Sequence, residues 1–276
     1  MTTRLDTELV RRGLARSRRH AGELIAAGRV TVDGSAVARS AAQVTDERQV
    51  SVEADETDSG YASRAGHKLA GALDALGADG PVVAGRHCLD AGASTGGFTD
   101  VLLRRGAARV VAVDVGHDQL VDALRHDPRV DVREGVNVRA LASGDVTPAP
   151  ELVVADLSFI SLTLVLPALV AVARPDADLL VMVKPQFEVG RERLGSGGVV
   201  RVPGLWVDAV VGVARTAAEL GLVVRDVVRS PLPGPSGNIE FFLWLARPDG
   251  GGAAQVDVQV PVERITAAVL ATEEIR

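Results

Sequence analysis

Three charged residues stand where charge is costly. Asp156 closes the apolar run Leu152-Val-Val-Ala-Asp156, and Lys184 closes Leu179-Leu-Val-Met-Val-Lys184. Glu240 opens a third run, Glu240-Phe-Phe-Leu-Trp-Leu245. A charge on a strand buried on both faces is expensive unless it is paired or sits at an open edge. In open α/β sheets the carboxyl edge of the strands is where ligands bind. Glu240 begins its run, but the short link Ser230-Pro-Leu-Pro-Gly-Pro-Ser-Gly237 reads as a hairpin-like return. An antiparallel last strand would bring Glu240 to the same edge as Asp156 and Lys184. A lysine among carboxylates there is a candidate base for removing a hydroxyl proton. A free lysine ammonium titrates at about 10.4, so base work requires burial or a second cation to lower it, while carboxylates orient it and push the other way. Lys68 is the candidate second cation. The alternative for the same four residues is a strand-edge salt-bridge network with no catalytic role.

A glycine-rich turn precedes these positions. Asp90-Ala-Gly-Ala-Ser-Thr-Gly-Gly-Phe-Thr-Asp100 follows the strand-like His87-Cys-Leu and opens a helix. Glycine lets backbone pass close to a ligand where a Cβ would collide. A dinucleotide fingerprint requires Gly at 92, 94 and 97, and position 94 is Ser. The Asp-x-Gly-x-x-x-Gly pattern instead resembles the first motif of class I methyltransferases. On that resemblance Asp90, Gly92, Ser94, Thr95, Gly96, Gly97, Phe98 and Thr99 line a cofactor pocket. Asp114 ends the next strand, where its carboxylate can accept both hydroxyls of a ribose. Asn137 follows the third strand, where such enzymes contact adenine, and it equally fits a turn-forming Asn. Asp156 is also a candidate at the cofactor.

The elements that must carry these residues alternate. Strand candidates fall at 87–90, 110–114, 130–133, 152–156, 179–184, 222–228 and 239–245, with helical segments between most of them. That alternation predicts a doubly wound, mostly parallel sheet. Segment 190–204 is rich in Gly and Arg, lacks periodicity and reads as a mobile loop. Residues 1–60 form a separate small unit. Leu5, Leu9 and Val10 recur at helical spacing, Ser17 can cap a second helix through Ala27, and Asp33-Gly34 turns a hairpin. Residues 53–60 read as a linker and 63–76 as a connecting helix within a junction spanning 61–84. The main domain covers 85–248, and 249–276 has no assignment.

Composition narrows the function. Hydrophobic residues make up 47% of the 276, enough for a sizeable core, and aromatics only 3%. The net charge of −6 excludes a generally basic nucleic-acid binder. Yet residues 4–29 carry seven arginines against three carboxylates, a local net of +4 that suits a polyanion contact. Cys88 is the only cysteine, and the five histidines lack ligand spacing, so no metal is expected. No apolar run is long enough for a bilayer span, and a cytoplasmic location is expected.

The set Lys68, Asp156, Lys184 and Glu240 resembles the K-D-K-E tetrad of FtsJ-type ribose 2′-O-methyltransferases. Asp156-Leu-Ser-Phe-Ile-Ser161, Val183-Lys-Pro-Gln-Phe-Glu188 and Gly234-Pro-Ser-Gly-Asn-Ile-Glu240 resemble the TlyA family more specifically. Those are bacterial ribosomal RNA methyltransferases often labelled haemolysins. Arg4-Leu-Asp-Thr-Glu-Leu-Val10, Ala15-Arg-Ser-Arg18 and Gly28-Arg-Val-Thr-Val-Asp-Gly34 resemble the S4 RNA-binding domain that opens this family. Tyr61-Ala-Ser-Arg-Ala-Gly-His-Lys-Leu69 resembles its junction.

The resemblance implies a class I (Rossmann-like) α/β domain with a seven-stranded mostly parallel sheet, preceded by a small α+β S4 domain. It implies S-adenosylmethionine as cofactor. It also implies 2′-O-methylation of cytidine on large-subunit ribosomal RNA, with small-subunit RNA as a second candidate. Arg4, Arg18, Arg19 and Arg64 are then the candidate RNA contacts, gripping phosphates rather than reading bases. Low aromatic content argues against base stacking as the main grip. The loop around Arg191 and Arg193 is a candidate to order over the target nucleotide, and it equally fits an uninvolved surface loop. Rival readings are a non-catalytic RNA-binding assembly factor, a pore-forming haemolysin and a nicotinamide dehydrogenase.

Overall fold

The computed structural model describes residues 2–15, 18–53, 60–248 and 261–271, without the side chain of Arg19. The chain forms two compact units, Met1–Ser63 and Arg64–Arg276.

The first unit contains β1 (Thr2–Arg4), α1 (Leu5–Arg11), α2 (Arg18–Ala26), β2 (Val30–Val32), β3 (Ser35–Ala36), β4 (Gln43–Thr45) and β5 (Val50–Val52). Leu5, Leu9, Ala21, Leu24, Ile25, Val30 and Val44 meet in its core. The hairpin expected at Asp33-Gly34 joins β2 to β3. Both turn residues have positive φ, 50° and 79°, as the tightest hairpin turns require. Strands β1 and β4 pair antiparallel and had no signal in the sequence, because Thr-Thr-Arg and Gln-Val-Thr lack the apolar alternation that the equally short Val-Thr-Val of β2 shows. Ser17, the expected helix cap, lies outside the described residues.

The second unit opens with α3 (Ala65–Leu76), followed by β6 (His87–Ala91), α4 (Gly97–Arg104), β7 (Arg109–Asp114), α5 (Asp122–Arg125) and β8 (Val130–Glu134). Then come β9 (Leu152–Ala155), α6 (Leu166–Val172), β10 (Asp178–Val183), α7 (Pro185–Glu188), α8 (Pro203–Glu219), β11 (Val223–Arg229), β12 (Phe241–Ala246) and α9 (Val262–Leu270). Seven strands form one sheet in the order β11-β12-β10-β9-β6-β7-β8. Strands β6 to β10 run parallel, and β12 runs antiparallel to both its neighbours. The Pro- and Gly-rich link is therefore the hairpin-like return its composition suggested.

Two features of this sheet position the site. The chain runs outward from β6 through β7 to β8, then resumes at β9 on the opposite side of β6. That reversal opens a crevice at the carboxyl ends of β6 and β9, the usual ligand position in such sheets. Every residue of β9 is buried, as are Leu179 to Val183 of β10. Such strands can place charge only beyond their ends, which is where Asp156 and Lys184 lie. Helix α9 occupies part of the tail that the sequence left unassigned. Ile265 and Val269 join the main core, and the Arg264 guanidinium donates to Val224 O at 2.6 Å.

Candidate active site

The charged residues meet in pairs at the carboxyl edge. Lys184 Nζ lies 2.6 Å from Asp156 Oδ1, an ion pair by distance although that oxygen lacks hydrogen-bond geometry. The same ammonium donates to Ser158 Oγ at 2.9 Å. Lys68 Nζ, from α3, donates to Glu240 Oε2 at 2.5 Å. Their side chains are 8% and 1% exposed, so this second pair is shielded from water. In the β10–β12 pairing Val183 stands opposite Phe241, and continuing that register by one residue sets Lys184 opposite Glu240. Gly234 makes room for the carboxylate: a Cβ there would lie 2.6 Å from Glu240 Oε1.

The glycine turn sits in the crevice between β6 and β9. Gly92 has φ +91°, and a Cβ on it would come within 2.6 Å of the Asp156 carbonyl oxygen. A side chain at 92 would both strain the backbone and push the two strand ends apart. Asp90 is fully buried. Its Oδ2 accepts from Thr99 Oγ1 at 2.6 Å, while Oδ1 has no hydrogen-bond partner. Burial pushes its carboxyl up to about 7, opposed by the Thr99 hydrogen bond and reinforced by the charges of Asp156 and Asp114. The carboxylates of Asp156 and Asp114 thus lie near the buried Asp90, an acidic surrounding that favours a cationic ligand. Asp114 Oδ2 accepts from Ser94 N at 2.8 Å and Oδ1 from Gly116 N at 2.7 Å. Each oxygen keeps a lone pair for a further donor.

The remaining loop residues divide by position. Ser94 adopts φ +47° and donates from Oγ to Gln119 at 3.2 Å. The Thr95 carbonyl accepts from Val121 N at 3.4 Å. Gly96, also at positive φ, precedes α4, which starts at Gly97. Phe98 is only 2% exposed and stacks on Phe242 with centroids 6.0 Å apart, so its ring supports the turn from the core. Thr99 is committed to Asp90. Asn137 is exposed and accepts from Arg139 N at 3.0 Å, the turn-forming role that its residue type also allowed.

Several residues at this edge escaped the sequence reading. Phe159 is 93% exposed with φ +64°, an outlying conformation for a bulky side chain. Its ring centroid is 5.4 Å from that of Phe187, whose own centroid is 6.0 Å from Lys184 Nζ. Glu188 accepts from Ser161 Oγ at 2.5 Å and from Leu162 N at 2.8 Å. Asn238 accepts from Val200 N at 2.9 Å and donates to Gly198 O at 3.1 Å. Trp206 Nε1 donates to Val200 O at 2.9 Å, and Arg193 reaches Val189 O at 2.6 Å and Asp208 at 3.1 Å. Segment 190–204, expected as a mobile loop, makes these ties at Val200 and Arg193, and among the described residues Arg191 shows no such tether. Nothing in composition signals such ties: those of Asn238 join residues about forty apart, and the nearer ones, from Arg193 and Trp206, end on backbone carbonyls that no residue type marks.

The profile of the FtsJ-like methyltransferases matches residues 61–247, and that of the S4 domain matches residues 3–50. The chain is 57% identical over 242 residues to the 16S/23S rRNA (cytidine-2′-O)-methyltransferase TlyA of Mycobacterium tuberculosis, covering 88% of this chain and 89% of that one. The chain belongs to the TlyA family of FtsJ-like methyltransferases. Another relative, Hemolysin A of Brachyspira hyodysenteriae, is 36% identical over 87% of this chain and 98% of its own. A solved structure of a candidate hemolysin from Streptococcus thermophilus superposes with a TM-score of 0.74 at 35% identity, covering 99% of this chain and 96% of that one. Among the described residues no helix is long and apolar enough to cross a membrane.

Membership in this family directs attention to the arginines of the S4 unit. Arg4 makes two hydrogen bonds to Asp6, at 3.0 and 2.9 Å, and Arg18 reaches the same carboxylate at 3.3 Å. Their side chains remain 46% and 63% exposed. Arg12 is different: Glu8 and the carbonyls of Thr45, Asp46 and Arg48 hold its guanidinium. Arg19 lies in α2, with its side chain outside the described residues. Arg64 is exposed at the start of α3 and donates to Pro233 O at 3.4 Å, one residue before Gly234.

Proposed function

We propose that this protein transfers a methyl group from S-adenosylmethionine to the ribose 2′-hydroxyl of cytidine in ribosomal RNA, within the cytoplasm. The observation that carries this reading is the arrival of Lys184–Asp156 and Lys68–Glu240 at one sheet edge, beside the Gly92 crevice. When bound, the cofactor supplies an electrophilic methyl on a sulfonium. The crevice fits it. Gly92 leaves space where a Cβ would clash, Asp114 has lone pairs for ribose hydroxyls, and the unpartnered Asp90 Oδ1 belongs to a cluster of carboxylates suited to a cation.

Lys184 Nζ, once its resting ammonium has released a proton to solvent, takes the acceptor hydroxyl's proton, oriented by Asp156 and Ser158. Lys68 and Glu240 form the buried wall that fixes the opposite side of the site. Phe159 and Phe187 present the apolar face on which the target nucleobase rests, a local use of stacking that low aromatic content does not exclude. Arg4, Arg18, Arg19 and Arg64 bind phosphates and set the position of folded RNA.

The test incubates the protein with methyl-labelled cofactor and separate ribosomal subunits, then maps the product by alkaline cleavage. A 2′-O-methyl group blocks cleavage at a single cytidine, because the internal nucleophile is gone. Lys184→Ala should abolish the product while cofactor affinity by calorimetry stays within about threefold, as expected for a group acting only on the acceptor. Retained turnover in that variant would remove Lys184 as the base. RNA binding without any product in the unsubstituted protein would favour the assembly-factor reading.

A further inference from the structure

Glu188 is a mostly buried carboxylate to which the proposed chemistry gives no role. Its two oxygens accept from Ser161 Oγ and Leu162 N, at 2.5 and 2.8 Å. Among the described residues no lysine or arginine balances its charge, and burial raises its carboxyl above the ordinary range. A buried charge held only by neutral donors is costly, so a neutral side chain would serve packing better.

The position of Glu188 suggests why it is there. It ends α7, the short helix that begins immediately after Lys184. Its partners end the loop that begins at Asp156. Between Asp156 and Ser161 lie Ser158, which receives the Lys184 hydrogen bond, and Phe159, held at φ +64°. A strained conformation persists only where its surroundings over-determine it. Ser161 also caps the next turn, its Oγ accepting from Thr163 N at 3.1 Å. Glu188 therefore joins the segment after β9 to the segment after β10 at the far end of the strained stretch.

We propose that Glu188 is a positioning residue: it clamps the loop from Asp156 to Leu162 onto the segment carrying Lys184, fixing Ser158 against the ammonium and Phe159 over Phe187. This rests on the function proposed above, but the clamp itself can be tested without turnover. Glu188→Ala leaves Ser161 Oγ and Leu162 N without their acceptor. Glu188→Gln keeps the shape, since its amide oxygen accepts from Leu162 N while its NH2 donates to Ser161 Oγ.

The experiment measures kcat and KM on ribosomal subunits, cofactor affinity by calorimetry, and amide exchange of residues 157–164 for both variants and for Ser161→Ala. Glu188→Ala should lower kcat by on the order of tenfold to a hundredfold, the effect of misplacing reacting groups by about an ångström. It should also speed exchange in 157–164 and change cofactor affinity far less than kcat, since only the first residues of that loop, Asp156 and Leu157, adjoin the glycine turn. Glu188→Gln should recover most of the activity and the slow exchange. Adding Ser161→Ala to Glu188→Ala should cost little more than Glu188→Ala alone. Unchanged kcat and exchange in Glu188→Ala would overturn the proposal. Equal damage from Glu188→Gln would overturn it too, by placing the effect in the charge. A wild-type protein inactive on both subunits would sink the proposed function instead, with exchange still deciding whether the clamp exists.

Discussion

Removing one partner of the Lys68–Glu240 pair separates structural from chemical roles. The pair joins α3 to the start of β12, 172 residues apart, and both side chains are at most 8% exposed. An exposed ion pair would contribute about 0–1 kcal/mol. Glu240→Ala here strands a buried ammonium, and breaking a buried pair costs about 3–5 kcal/mol. That is a large part of the roughly 5–15 kcal/mol that holds a domain folded. For a unit of this size it corresponds to a fall in Tm of roughly 6–20 °C. The double substitution Lys68→Met with Glu240→Leu replaces the pair by apolar groups of similar volume and should return stability close to the original. Calorimetric melting of the second unit and methyl transfer at 25 °C would be measured on the same preparations. The expected result is recovered stability without recovered turnover. If the double variant regains both, the pair is only a brace and the four-residue site is reduced to Lys184 and Asp156. If Glu240→Ala costs under about 1 kcal/mol, the pair is not shielded as described.

Two further outcomes follow from the same geometry. The folded chain retains the Asp90 proton up to about pH 7, whereas the unfolded chain releases it near the ordinary carboxylate value of about 3.9. Asp90 therefore weakens the fold progressively as pH rises through that window and no further above it, by at most about 1.4 kcal/mol per unit. Asp90→Asn should melt progressively higher than wild type between pH 4 and about 7 in thermal-shift assays, yet lose cofactor affinity; a constant difference across pH would contradict the burial. In the S4 unit, Arg18→Ala should weaken binding to ribosomal subunits and reduce the log–log salt slope by about 1. Arg12→Ala should leave that slope unchanged and lower the melting temperature, because its guanidinium is already spent on Glu8 and three carbonyls.

What the sequence by itself determined was the sheet and the charges at its edge. Strands buried on both faces read as apolar runs, so a charged residue at the end of each run marks where the strand leaves the core. Asp156, Lys184 and Glu240 were legible for that reason, as was the glycine turn, whose backbone conformation limits the residues that can occupy it. The antiparallel return of β12 was legible because a Pro- and Gly-rich link of that length cannot hold a crossover helix. Pairing was decided only by the tertiary structure. Lys68 meets Glu240 because α3 packs beside β11, the strand next to β12. The orphaned oxygen of Asp90, the strained and exposed Phe159, and the hold of Glu188 on Ser161 had no sequence signal. Each depends on residues brought together across the chain, and hydrogen-bond partners at such separations follow from three-dimensional packing, not from local pattern. The short strands β1 and β4 were missed for the converse reason: Thr-Thr-Arg and Gln-Val-Thr carry no apolar alternation, and only pairing with each other defines them.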